Sequence, residues 1–265
     1  MEVNQIIHGD CLEVMPSIPD KSIDMILCDL PYGTTVCKWD TIIPFEPLWE
    51  QYKRVIKDNG AIVLTASQPF TSALVMSNIK MFKYSWTWDK IKNGHPLNAN
   101  KQPLRVTEDI CVFYGKQCLY NPQKKDDGIE KGIERLSKKS LSGFKSKELT
   151  GKFTSFSRDK YSAEDLRYSL PSNIIRIHGK SNECNPVNVA HPTQKPVVLF
   201  EYLIKTYTNE NETVLDNCSG SGTTAIACIN TNRNYICIEK DKTYFDLSVE
   251  RVNNHKQQTD LFKVA

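Results

Sequence analysis

Two short segments, far apart in the chain, join an acid to small, rigid or aromatic neighbours. Asp29-Leu30-Pro31-Tyr32-Gly33 follows the apolar run Met25-Ile26-Leu27-Cys28. Asp216-Asn217-Cys218-Ser219-Gly220-Ser221-Gly222-Thr223-Thr224 follows Thr213-Val214-Leu215. Each is a buried-strand pattern that ends in a turn, and ligands of open parallel sheets sit beyond the carboxyl ends of the strands. Two adjoining pockets are therefore expected, one for a nucleotide-like cofactor and one for a flat polar group between an acid and an aromatic ring.

If the flat ligand carries an exocyclic amine on a planar ring, the first turn suits it. Such a nitrogen delocalises its lone pair and is a poor nucleophile. Acceptors on both N–H bonds draw it toward tetrahedral geometry. Asp29 supplies one acceptor, and the carbonyl of Leu30 or Pro31 the other. Pro31 fixes its own φ and biases Leu30 toward extended backbone. Tyr32 offers a face for stacking. The alternative is a tight surface turn, since Pro and Gly are common turn formers.

In the second turn, Gly220 and Gly222 allow a tight bend and a close backbone approach, and a helix amino end offers free N–H groups. Glu239 closes the next strand pattern, 19 residues after Gly220, where an acid can bind ribose hydroxyls. The alternative is an ordinary strand–helix–strand turn with a surface Glu.

The elements that must position these turns alternate. Strand patterns occupy Gln5–His8, Asp24–Asp29, Ala61–Thr65, Phe82–Trp88, Asp109–Tyr114, Val214–Leu215 and Tyr235–Glu239. Leu48, Trp49, Tyr52, Val55 and Ile56 fall on one helical face, with Asn59-Gly60 read as the stop. Helices are also expected over 68–80, at Phe200, Leu203, Ile204 and Tyr207, and over 222–231 and 242–257. The alternation predicts an α/β, doubly wound, mainly parallel sheet with helices on both faces. His8 reads as a packed core histidine, and Trp39, Trp49, Trp86 and Trp88 as core or rim packing.

Regularity fails over 116–189, which is polar and rich in Lys and Ser. It is too long for a plain loop and reads as a small inserted module or a partly disordered segment between 1–115 and 190–265. Residues 116–180 carry a net +7, against −4 for the other 200 residues and +3 for the whole chain of 265. A basic block in an acidic-leaning scaffold fits phosphate-backbone contact, although a solvated face explains any single Lys or Arg. The nine cysteines show no Cys-x-x-Cys pair, so no structural metal is expected. No run is long enough to span a bilayer and no secretory leader is visible, which favours a reducing cytoplasm.

These motifs match a family. Asp29-Leu30-Pro31-Tyr32 resembles the Asp-Pro-Pro-Tyr signature of S-adenosylmethionine-dependent DNA amino-methyltransferases. His191-Pro192-Thr193-Gln194-Lys195-Pro196 is similar to the segment these enzymes place before the cofactor strand, and Asp216–Thr224 to their Asp-Pro-Phe-x-Gly-Ser-Gly-Thr-Thr loop. The order, catalytic motif then variable region then cofactor loop, resembles the β group, a circular permutation of the commoner arrangement. The likeness covers most of 4–115 and 190–255.

The resemblance implies a Rossmann-like, circularly permuted methyltransferase fold with the insertion as target-recognition region. It implies that Asp29, Leu30, Pro31 and Tyr32 are catalytic, and that S-adenosylmethionine is held by Asp10, Cys11, Asp29, Thr193, Lys195, Asp216, Asn217, Cys218, Ser219, Gly220, Ser221, Gly222, Thr223 and Glu239. A plain helix cap is the other reading of Asp10. DNA is the implied partner, with Lys124, Lys125, Arg135, Lys138, Lys139, Arg158, Arg167 and Arg176 as contacts. The stretch Lys90–Arg105 is a further candidate to close over it. The family also allows a homodimer, in a bacterial or virus-infected cell.

An Asp-initiated motif resembles the adenine N6 enzymes, with cytosine N4 methylation as the alternative. Two departures stand out. Leu30 replaces the first Pro, which preserves a main-chain carbonyl. Asn217-Cys218 replaces Pro-Phe, which removes an aromatic from the methionine pocket. From other classes, a nicotinamide-dependent oxidoreductase accounts for the glycine turn and Glu239 but not for Asp29–Tyr32, and a non-catalytic DNA-binding module accounts for the basic block.

Overall fold

Short apolar runs become central strands because both of their faces are covered. In a computed structural model of the chain, residues 2–35, 40–91, 99–128, 131, 167–179 and 194–263 are described. The first half contains β1 (Gln5–His8), α1 (Cys11–Val14), β2 (Ile23–Asp29), α2 (Phe45–Val55), β3 (Ile56–Ala66), α3 (Phe70–Ser77), β4 (Phe82–Asp89) and β5 (Thr107–Phe113). Then come β6 (Lys125–Asp126), β7 (Tyr168–Ser169), β8 (Ile174–Arg176), α4 (Val197–Tyr207), β9 (Thr213–Asp216), α5 (Thr223–Asn230), β10 (Asn234–Glu239) and α6 (Lys242–Lys263).

Two compact units result, Met1–Asn121 with Asn173–Ala265, and Pro122–Ser172. Both unit edges fall inside the 116–189 span. In the first unit the described residues form an eight-stranded sheet of order β1-β10-β9-β2-β3-β5-β4-β8. The five pairs β1/β10, β10/β9, β9/β2, β2/β3 and β4/β8 are parallel, and β5 runs antiparallel to β3 and β4. The sheet is thus mainly parallel, and Ile174–Arg176, from a stretch without sequence regularity, supplies its edge. In the second unit, β6 pairs antiparallel with β7, and Arg167 reaches Asp126 at 2.7 Å.

Alternation along the strands explains the layering. Met25 and Leu27 of β2, Ala61 and Val63 of β3 and Val214 of β9 pack with Phe200, Leu203, Ile204 and Tyr207 of α4 and with α5. Ile26, Cys28, Ile62, Leu64 and Leu215 face the other way, onto Leu48, Trp49, Tyr52 and Val55 of α2 and onto Phe70 and Leu74 of α3. Helices therefore cover both faces. Trp49, Trp86 and Trp88 are core residues, while Trp39 lies outside the described residues.

Two local expectations are corrected. Asn59-Gly60 does not stop α2: the helix ends at Val55, and β3 begins at once at Ile56. Its register to β2 jumps from Ile23↔Ile56 to Met25↔Ala61, so Asn59-Gly60 lies in a bulge. Gly60 is required there, because a Cβ would fall 2.7 Å from the Asp24 carbonyl. His8 is exposed at the end of edge strand β1, with its ring 5.2 Å from that of Phe245.

Candidate active site

Parallel pairing of β1, β10, β9 and β2 puts their carboxyl ends on one rim. Glu239 ends β10, Asp216 ends β9 and Asp29 ends β2. The two turns therefore open on the same side of the sheet.

Asp29 pairs with Thr65 of β3 in register. Its Oδ1 accepts a hydrogen bond from the Thr65 hydroxyl and lies 2.8 Å from the Tyr32 hydroxyl. Oδ2 accepts from the Lys195 ammonium at 2.6 Å. Lys195 Nζ also sits 3.5 Å from Glu108 Oε2, and Lys90 pairs with the other Glu108 oxygen. Burial would push the Lys195 ammonium down, yet Asp29 and Glu108 together hold it above the usual lysine value. The Tyr32 phenol is driven up by burial and by the negative charges of Asp29 and Glu108, so it stays protonated. The Tyr32 ring stacks on Phe70 with centroids 5.1 Å apart and planes 24° apart, and Lys195 Nζ lies 5.6 Å from its centroid.

The loop after Tyr32 is tied down by Asp40. Its carboxylate accepts from the backbone N–H groups of Gly33, Thr34 and Thr35 at 2.8, 2.9 and 2.6 Å. Burial works against the charge, but these bonds outweigh it and the pKa is lowered.

At the neighbouring turn, Gly220 and Gly222 take left-handed φ values of 49° and 77°. Gly222 directly precedes α5, which begins at Thr223 as expected. Gly220 N donates to Glu239 Oε2 at 2.7 Å, and Asp241 N to Oε1 at 2.8 Å. Burial raises Glu239. Asp216 accepts from the Thr224 hydroxyl and from Cys218 N at 3.1 Å, and burial pushes its carboxyl up to about 6. Asn217 is buried, its side chain turned to Tyr52. Arg251 of α6 donates to the Ser221 carbonyl at 2.9 Å, and the Thr223 hydroxyl lies 3.5 Å from the Lys195 carbonyl.

Asp10 caps α1 by accepting from Leu12 N at 2.9 Å, and its other oxygen pairs with Lys240 at 2.8 Å. The hydrogen bond from Lys240 lowers its pKa. Cys11 and Cys218 are in contact, which together with burial keeps the Cys11 thiol protonated.

The donor set fits an adenosyl sulfonium cofactor. Ser219 Oγ is buried and has no hydrogen-bond partner among the described residues, Glu239 presents a carboxylate at a strand end, and the left-handed glycines let a ligand reach the backbone. Thr193 lies outside the described residues. So do Arg135, Lys138, Lys139 and Arg158. Arg176 is on β8, 3.3 Å from Asp89. Lys124 and Lys125 are exposed in the second unit, with Lys125 3.3 Å from Asp127. Glu108, Thr65, Asp40, Phe70 and Tyr52 carry no motif signal: strand register and helix packing bring four of them to the site, and Asp40 joins it through its hold on the loop after Tyr32.

Comparison with known proteins decides the family. A family model described as "DNA methylase" matches residues 23–250. The chain belongs to the DNA methylase family. It is 25% identical over 268 residues to the type II methyltransferase M1.MboII of Moraxella bovis, covering 92% of this chain and 94% of that protein. It is 24% identical over 283 residues to the DNA adenine methyltransferase YhdJ of Escherichia coli, covering 99% and 88%. The crystal structure of the M1.HpyAVI-SAM complex superposes with a TM-score of 0.61 at 25% identity, covering 94% of this chain and 98% of that one. The cytosine-N4-specific PvuII DNA methyltransferase shares the fold, with a TM-score of 0.63 at 18% identity and coverage of 98% and 91%. In this DNA methylase, among the described residues, no group of His, Cys, Asp and Glu is arranged to hold a metal, and no helix is long and apolar enough to cross a membrane.

Proposed function

We propose that this DNA methylase transfers a methyl group from S-adenosylmethionine to the exocyclic N6 amine of adenine in DNA. The observation that carries the proposal is the Asp29 carboxylate, fixed at the rim beside the glycine turn by Thr65, Tyr32 and Lys195. The cofactor supplies an electrophilic methyl on a sulfonium sulfur. Glu239, Ser219, Gly220, Gly222 and Asp10 would hold it, with Lys195 and the Asp216–Thr223 turn shaping the methionine end.

Asp29 accepts one N–H of the target amine, and the Leu30 or Pro31 carbonyl accepts the other. The nitrogen lone pair is then localised toward the methyl carbon. As the N–C bond forms and the C–S bond breaks, the nitrogen becomes acidic and sheds a proton, for which Asp29 is the nearest acceptor. Positioning and a preorganised acceptor pair provide most of the acceleration. In duplex DNA the adenine must leave the stack at a cost of a few kcal/mol. The basic span 116–189 supports a target-recognition role, with Lys124, Lys125, Arg135, Lys138, Lys139, Arg158, Arg167 and Arg176 as DNA contacts.

YhdJ, named an adenine enzyme and alike over nearly the whole chain, favours adenine over cytosine. The test is tritiated-methyl transfer to mixed-sequence DNA followed by nucleoside mass spectrometry. N6-methyldeoxyadenosine is expected, and Asp29→Ala should abolish it while leaving cofactor binding within a few-fold. N4-methyldeoxycytidine would overturn the adenine assignment. An active Asp29→Ala variant would overturn the role of that carboxylate.

A further inference from the structure

We propose that Glu108 is a positioning residue of this site: the carboxylate that receives Lys195 when the target amine takes the lysine's place on Asp29. The inference rests on the methyl-transfer reading above. Asp29 is already engaged on both oxygens. Oδ1 serves Thr65 and Tyr32, and Oδ2 holds the Lys195 ammonium at 2.6 Å. An amine that needs Asp29 as acceptor competes with Lys195 for Oδ2.

Lys195 has nowhere to go in water, because its side chain is only 8% exposed. A buried ammonium without a counter-ion is strongly disfavoured. Among the described residues, the other carboxylate within reach is Glu108. Its Oε2 lies 3.5 Å from Lys195 Nζ, is buried, and has no hydrogen-bond partner among the described residues. A shift of about 0.7 Å closes that gap to an ordinary charge-assisted hydrogen bond. Glu108 cannot swing away, since its other oxygen is anchored by Lys90. The antiparallel return of β5 beside β3 puts Glu108 there. Among the described residues, the titratable groups around Lys195 are Asp29 and Tyr32 from β2 and its turn and Glu108 from β5, with Lys90 after β4 behind Glu108.

Glu108 therefore lets one lysine serve two states. Before the base arrives, Lys195 neutralises Asp29 and keeps Tyr32 company. Once the amine binds, Lys195 stays paired inside the protein, and Asp29 faces the substrate as a free acceptor.

The test uses Glu108→Gln and Glu108→Asp in the full chain, with S-adenosylmethionine calorimetry, steady-state methyl transfer to DNA, and activity measured from pH 6.5 to 10. Glu108→Gln should bind the cofactor within about twofold of wild type and lose about tenfold or more in kcat, because the amine must now expel a stranded ammonium. Glu108→Asp should recover most of that loss. The deficit of Glu108→Gln should also shrink as pH rises. Removal of one carboxylate lowers the Lys195 pKa, and a neutral Lys195 no longer competes for Asp29. Wild-type kcat in Glu108→Gln would overturn the inference, and so would a deficit that is the same at every pH and not relieved by Asp. If Glu108→Gln does not fold, the pH series on Glu108→Asp decides: a small deficit that closes at high pH supports the inference, and one constant with pH overturns it. Wild-type protein that transfers no methyl to adenine would overturn the functional reading itself, and this inference with it.

Discussion

The Tyr52 hydroxyl donates to Asn217 Oδ1 at 2.6 Å across 165 residues of sequence, with both groups buried. The bond ties the middle of α2 to the turn that follows β9. It also gives the Asn that departs from the Pro-Phe pattern a buried partner: its side-chain oxygen is satisfied by a tyrosine that α2 carries on its buried face. Removing the hydroxyl strands a buried acceptor, which costs about 1–3 kcal/mol. Tyr52→Phe should lower the urea midpoint accordingly without changing the slope, and should weaken cofactor binding several-fold. An unchanged midpoint would mean that water satisfies Asn217 in the variant.

Asp216 gives a pH signature. Its carboxyl is raised by burial from 3.8 to about 6, so the ionised form is penalised in the folded state. The sign follows from linkage: a raised acid favours folding below its unfolded pKa, and that contribution is lost as pH climbs through the folded value. A shift of this size is on the order of 3 kcal/mol. Asp216→Asn keeps an acceptor for Cys218 N, turns an amide N–H toward the Thr224 hydroxyl oxygen, and carries no charge. The variant should be more stable than wild type at pH 7.5, with the advantage fading through pH 6 and gone near pH 4. Thermal melts at these three values check it, and an equal gain at pH 4 would contradict it.

Gly222 is a position that tolerates a side chain poorly. Its φ is 77°, and a Cβ would stand 3.2 Å from Ser248 Cβ on α6. Gly222→Ala should cost more than about 1 kcal/mol from the left-handed backbone alone. It should also weaken cofactor binding, because the turn that opens α5 must move. Calorimetry with S-adenosylmethionine reads the second effect.

These residues also show what a linear sequence exposes. The rim was legible because its parts are local: an acid ending each apolar run, two glycines before a helix, Glu239 one strand later. The alternation of strands and helices came from the same periodicity. Glu108 and Thr65 were not legible, since Thr65 ends an ordinary strand pattern and Glu108 stands just before another, and only the Asp29↔Thr65 register and the antiparallel return of β5 bring them to Asp29. Asn59-Gly60 misled for the same reason. The pair looks like a helix stop, but its conformation is set by the close approach of Asp24 on the neighbouring strand. His8 followed an apolar pattern too short to reveal that β1 is an edge.

Tyr32 has two functions that different substitutions separate. Its ring is backed by Phe70 at 5.1 Å, which holds it as a rigid platform, and its hydroxyl touches the Asp29 carboxylate at 2.8 Å. Base–aromatic stacking is worth about 1–3 kcal/mol. Tyr32→Ala should therefore weaken binding of DNA carrying a flipped base by about 5- to 150-fold, and should lower the fluorescence of 2-aminopurine placed at the target adenine, because less of it leaves the stack. Tyr32→Phe keeps the platform and removes the hydroxyl's contacts with Asp29 and Thr65, while Thr65 and Lys195 still hold Asp29. It should leave the fluorescence signal intact and lower kcat by less than Tyr32→Ala does. If both variants lost the flipped-base signal equally, the hydroxyl rather than the ring face would be what captures the base.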